Sequence, residues 1–181
     1  LPGRHNVENY MAACAALKGL VSHEVMAKVA REFNGVEHRL ELTRELDGVK
    51  YYNDSIASSP SRTLAGLKCF PADKIILIAG GYDKHIPFDV LGPEVCQHVK
   101  KLYLTGATAQ KIYDAVVSCP DYAQGSPEIF VIDDFTDTVH AAAAAAENGD
   151  VVLLSPACAA FDKFKNFMVR GKFFKKLVQE L

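Results

Sequence analysis

Over its second half the chain alternates short apolar runs with helix-length segments, and this alternation restricts the fold more than any other feature. The runs fall at residues 74–79, 101–104, 129–132 and 150–154, and the segments at 90–99, 108–117 and 135–147 suit helices. A closing helix or helix pair is expected over 161–181. Strands that are apolar without a break are buried on both faces, the habit of parallel strands covered by helices on either side. The expected fold is α/β, a Rossmann-like, doubly wound, mostly parallel sheet. The six consecutive alanines at 141–146 fit it, since alanine is the best helix former and lets a helix sit close on a sheet.

Upstream the periodicity changes. Residues 38–46 alternate apolar with polar, Asp47-Gly48 follows, and 49–53 is again extended, so a β-hairpin is expected at the start of the domain. Ser58-Ser59-Pro60 then opens a helix to about residue 69, with proline tolerated in the first turn. Before the hairpin, 7–20 and 22–33 suit two helices, the second with Ser22 as N-cap and Asn34-Gly35 as its stop. A boundary is therefore expected there, dividing the chain into residues 1–36 and 37–181.

Composition bounds the function. The formal charge is -2 over 181 residues, with 49% hydrophobic and 23% charged residues. No broad attraction to nucleic acid or anionic lipid follows, so a phosphate site must be local. The five cysteines show no metal-ligand spacing and read as reduced, mostly buried thiols of a cytoplasmic protein. No apolar run is long enough to cross a bilayer. The opening Leu1-Pro2-Gly3-Arg4-His5-Asn6 reads as a cut made inside a longer protein.

Ligands of a doubly wound sheet bind beyond the carboxyl ends of its strands, so the residues just after each strand are the ones to inspect. Three segments qualify: Asn53 to Ser59, Gly80-Gly81-Tyr82-Asp83-Lys84, and Ser155 to Asp162. Lys84 offers a point charge for a carboxylate or phosphate, or is a solvated turn lysine. Asp54 could accept from a ribose hydroxyl, or merely cap a turn. Asn6 and Asn9, three residues apart at a helix start, could hold an adenine edge, although Asn6 also suits an N-cap. Arg39 could reach phosphates, or be an exposed strand arginine.

Taken together, the order and spacing of these segments resemble the Mur ligases, and within them the branch that adds D-glutamate. The resemblance spans nearly the whole chain and rests on Leu-Pro-Gly-Arg-His-Asn-x-x-Asn, His38-Arg39, Tyr52-Asn53-Asp54-Ser55, Gly80 to Lys84, Leu154 to Phe167, and Arg170-Gly171. It implies the third domain of a three-domain, ATP-dependent amide-forming enzyme, preceded by two helices left over from the central ATPase domain. Nothing here resembles the family's phosphate loop, so the piece alone is expected to be inactive.

By position, the resemblance assigns Asn6 and Asn9 to adenine, Arg39 to the phosphates and catalysis, and Asp54 to the ribose. It assigns Lys84, Ser58, Ala160, Phe161 and Phe167 to D-glutamate, with Lys84 also catalytic and with amide donors from a helix starting at Phe161. ATP is the implied cosubstrate and Mg2+ the implied metal, held mainly by the central domain. A UDP-linked muramoyl-alanine is the implied second substrate, and the enzyme is expected to be a cytoplasmic monomer. Serine is usual in the family where Ala160 stands, lysine is frequent in place of Ile56, and threonine is more usual than Ser58. A stand-alone nucleotide- or amino-acid-binding module and a sister ligase of the family with another acceptor are the competing readings.

Overall fold

In the computed structural model, which describes residues 3–181, the strands join in one six-stranded sheet. β1 (Glu41–Leu46) and β2 (Val49–Asn53) form the antiparallel hairpin. At its tip Asp47 and Gly48 have φ of 50° and 78°, the left-handed pair that a two-residue turn needs to follow strand twist. β3 (Ile75–Ala79), β4 (Val99–Leu104), β5 (Glu128–Val131) and β6 (Val151–Leu154) are parallel neighbours, and β6 also pairs in parallel with β2. The order is β1-β2-β6-β3-β4-β5.

Helices cover both faces. On one side α3 (Pro60–Leu67), α4 (Leu91–His98) and α5 (Ala109–Val117) set Leu67, Val95 and Ile112 against Leu77, Leu102 and Leu153. On the other, α6 (Phe135–Ala144) and α7 (Phe167–Glu180) set Val139, Phe174 and Val178 against Ile76, Ile78 and Val152. Successive residues of β3 feed opposite cores, so every one of them is buried. After β3 the chain leaves toward α4 on the first face, and after β6 toward α7 on the second. These adjacent strands therefore flank a topological switch point, where a doubly wound sheet opens a crevice.

Side-chain caps start several helices. Ser22 accepts from the Val25 N–H at the head of α2 (His23–Glu32), Asp134 from Asp137 N–H, and Asn166 from Val169 N–H. α2 follows α1 (Arg4–Ala16), and Val7, Met11, Val29 and Phe33 of this pair are exposed. Among the described residues no helix is long and apolar enough to cross a membrane.

Three expectations need correction. The last helix begins at Phe167, not Phe161: the N–H groups of Lys163 and Phe164 both turn back to the Ala160 carbonyl, and Asn166 starts the helix. Phe161 thus lies in a turn. The first strand begins at Glu41, because His38 and Leu40 adopt φ of 67° and 43°. Their N–H groups donate to the carboxylates of Glu41 and Asp54 instead of to a neighbouring strand. All five cysteines are free, but only Cys158 is buried; the others are half-buried.

Candidate functional site

Three strand-end loops meet at the switch point. Beyond β2, Asp54 N–H donates to Leu154 O at 2.8 Å; beyond β3, Gly80 N–H donates to Pro156 O at 2.8 Å and Tyr82 N–H to Ala159 O at 2.9 Å. Glycine permits this closure. A Cβ on Gly80, whose φ is 112°, would lie 2.0 Å from Thr105 O, and one on Gly81 would lie 2.4 Å from Ala159 O.

Asp54 is buried, and its carboxylate accepts from Leu40 N–H at 3.3 Å and from the Ser155 hydroxyl at 2.8 Å. Arg39, Asp54, Ile56 and Arg62 line a cleft of about 220 Å³. Desolvation raises the Asp54 carboxyl from 3.8 to about 6, outweighing the Ser155 and Leu40 hydrogen bonds and the charges of Arg39 and Arg62. The native state therefore binds this proton more tightly than the unfolded chain. Its contribution to stability is present below pH 4 and is lost as pH rises to about 6, by on the order of 3 kcal/mol. In Asp54→Asn this part of the pH dependence should vanish, which urea unfolding of both proteins at pH 4, 5, 6 and 7 will check.

Arg39 is exposed and reaches a second space as well. A groove of about 400 Å³ is lined by Asn6, Asn9, Tyr10, Met26, Phe33 and Arg39, among others. The structure thus brings Asn6, Asn9 and Arg39 to one groove, and Arg39 and Asp54 to the next. Near Arg39, the Lys175 ammonium sits 3.2 Å from Glu37 Oε1 and 2.5 Å from Glu41 Oε1. Buried His38 lies beside these carboxylates within metal-ligand range, and Lys175 supplies the cation there. Asn53 Nδ2 is 2.9 Å from His38 Nδ1 and 3.2 Å from Glu41 Oε2.

The residues assigned to D-glutamate sit on the neighbouring loops. Lys84 is exposed and makes no hydrogen bond or ion pair among the described residues. It lies two residues beyond Tyr82, whose ring meets that of exposed Phe161 edge-on at 6.0 Å. Ala160 is buried, whereas Ser58 and Phe167 are half-buried. Phe167 O accepts from the Ser55 hydroxyl at 2.8 Å, which ties the head of α7 to the β2 loop.

Sequence reasoning gave Arg170 no role, yet it is 2% exposed and all three of its side-chain nitrogens donate to these loops. Nε donates to Ser55 Oγ at 3.1 Å, Nη2 to the carbonyls of Ser55 and Cys158 at 3.0 Å each, and Nη1 to Ala159 O at 3.2 Å. Burial lowers its pKa to about 10, which leaves it charged at neutral pH. A signal was present. Arg170, Phe174, Leu177 and Val178 follow the i, i+4, i+7, i+8 spacing of a buried helix face, so an arginine there must be satisfied inside.

A doubly wound domain with its polar residues gathered at the switch point defines a ligand-binding α/β class, and comparison makes it specific. Residues 38–158 match the family described as "Mur ligase, glutamate ligase domain", and the chain belongs to that family. It is 54% identical over 181 residues to the UDP-N-acetylmuramoylalanine-D-glutamate ligase of Clostridium beijerinckii, and 53% over 184 residues to that of Acetivibrio thermocellus. All of this chain is covered in both alignments, and it spans 39% of the length of each relative. Among solved structures, a folylpolyglutamate synthase of Thermotoga maritima matches with a TM-score of 0.63 at 16% identity, over 100% of this chain and 40% of that one. A murein peptide ligase of Psychrobacter arcticus matches with 0.58 at 20%, over 100% and 37%. At these identities the likeness is one of fold.

Proposed function

We propose that this chain is the C-terminal part of an ATP-dependent ligase that joins D-glutamate to UDP-N-acetylmuramoyl-L-alanine in peptidoglycan precursor synthesis. Residues 37–181 form the acceptor-binding domain, and residues 1–36 are the closing helices of the ATPase domain before it. The observation that carries this reading is the juxtaposition at one rim of two unlike sites. One has amides, a guanidinium and a buried carboxylate; the other has an unpaired ammonium on a loop bonded to the Cys158–Phe161 turn. Relatives of more than 50% identity carry the ligase name and support the choice of substrate.

The donor set suits a nucleotide. Asn6 and Asn9 present amides of the kind that pair with an adenine edge, Asp54 can accept from a ribose hydroxyl, and Arg39 between them faces phosphate charge. ATP supplies the phosphoryl group that activates the muramoyl-alanine carboxylate, and phosphate leaves when the amine of D-glutamate attacks the acyl carbon. Mg2+ would accompany the phosphates, held mainly by the parent chain's other domains. This domain's part is to fix the acceptor. Lys84 and the N–H groups of the Ala160–Phe161 turn hold its carboxylates, Ser58 and Phe167 border it, and the neutral amine is directed at the acyl group. We place the enzyme in the cytoplasm, where UDP-linked precursors are made, as a monomer.

The test is substrate-dependent phosphate release by the full-length protein. ATP turnover should require both UDP-N-acetylmuramoyl-L-alanine and D-glutamate, and L-alanine, L-lysine or diaminopimelate should not replace D-glutamate. Preference for another amino acid would make the chain a different amide-forming ligase, and no ATP turnover at all would leave only a binding module.

A further inference from the structure

The arginine beneath the acceptor loop is bonded in a way that a purely structural cation does not require. Burying a guanidinium is tolerated when its N–H groups are met, commonly by a carboxylate. Arg170 makes no ion pair with a carboxylate among the described residues, Asp162 acting on it only at longer range, and instead gathers backbone carbonyls from two separate loops. One is Ser55, next to Asp54 on the β2 loop; the others are Cys158 and Ala159 on the β6 loop.

Peptide geometry turns this into a statement about direction. Within a trans peptide unit the C=O and N–H point opposite ways. The Ala159 carbonyl faces inward, accepting from Arg170 Nη1 at 3.2 Å and from Tyr82 N–H at 2.9 Å, so the Ala160 N–H points away from the arginine. Neither Ala160 N–H nor Phe161 N–H donates to any acceptor among the described residues. The next carbonyl, that of Ala160, is taken by the N–H groups of Lys163 and Phe164, which fixes the turn from its other end.

We propose that Arg170 is a positioning residue for the acceptor amino acid: by drawing the Cys158 and Ala159 carbonyls inward, it presents the Ala160 N–H outward to a substrate carboxylate. The inference rests on the functional reading above and adds a residue to it. Arg170 touches no substrate itself. The Asp54 carboxylate itself is held by Leu40 N–H and Ser155 Oγ, not by the arginine.

Arg170→Lys in the full-length protein is the primary test, since lysine keeps the charge but cannot bridge two loops with a planar fork. Displacing an orienting group by a fraction of an ångström should raise the D-glutamate KM roughly tenfold or more, while the ATP KM moves less than about twofold. Circular dichroism establishes that the variant is folded. Should it fail to fold, Ser55→Ala decides, because it removes only the acceptor of Arg170 Nε and the donor to Phe167 O; it should raise the D-glutamate KM about threefold with the ATP KM again unmoved. An unchanged D-glutamate KM in the deciding variant, or equal rises for both substrates, would overturn the proposal. A wild-type protein indifferent to D-glutamate would remove the functional reading and this inference with it. A wild type that uses D-glutamate, beside a folded variant that uses it equally well, removes the inference alone.

Discussion

Lys84→Ala in the full-length protein should lower kcat/KM for D-glutamate by about 100-fold and leave folding stability within about 0.5 kcal/mol of wild type. The two halves of this expectation have one origin. An ammonium that is exposed and has no partner contributes nothing to the folded state, so its removal exposes no unpaired group. On the proposed function its value lies in the bound state, where a charge-assisted hydrogen bond to a carboxylate is worth about 1.5–3 kcal/mol, or about 10- to 100-fold. Steady-state kinetics with varied D-glutamate, together with thermal melts, will measure both. Unchanged kinetics would take Lys84 out of the site, and a large loss of stability would mean that its side chain is engaged inside the fold.

Gly80→Ala should act in the opposite way, through the fold. The residue has a φ of 112°, and an added methyl would lie 2.0 Å from the backbone oxygen of Thr105, which a side-chain rotation cannot relieve. Backbone strain and overpacking each contribute about 1–3 kcal/mol, so a loss of about 2–6 kcal/mol is expected, read as a lower urea midpoint. Gly125→Ala is the control: its φ is 85°, but nothing lies within 4 Å of the added carbon. It carries the conformational penalty alone, about 1–2 kcal/mol. Similar losses at both positions would mean that the β3 loop shifts to admit the methyl, and that the convergence of loops is less tightly specified than the bonds suggest.

Periodicity carried most of the architecture. Runs such as 74–79 and 150–154 pointed to doubly covered strands, and Asp47-Gly48 between two extended runs pointed to a hairpin. What periodicity could not carry were places where a side chain from far along the chain takes over a backbone partner. His38 and Leu40 leave the strand because Glu41 and Asp54 accept their amides, and the Asp54 contact spans 14 residues. Residues 161–166 leave the expected helix because the Ala160 carbonyl draws in two N–H groups and Asn166 caps later.

The candidate site shows the same division. Asp54, Lys84 and Ser155 stood out as candidates because strand ends are where such sheets bind ligands. Arg170 was harder, being a helix residue whose partners at Ser55 and Cys158 are 115 and 12 positions away. Gly171 belongs with it: a Cβ there would lie 2.4 Å from His38 Nδ1, so the glycine admits the histidine that packs beneath Arg39's segment.

The order of the strands has a consequence for how the molecule is made. The β1-β2 hairpin joins the rest of the sheet only through the pairing of β2 with β6, which is the last of the six strands to leave the ribosome and lies at the sheet's centre. Until residues 151–154 emerge, the hairpin and the β3-β4-β5 unit share no strand pairing, and a chain terminated before that point would lack the seam that unites them. Convergence of the strand-end loops is therefore a late event in synthesis, completed by the same short segment that leads into the Ser155–Asp162 loop.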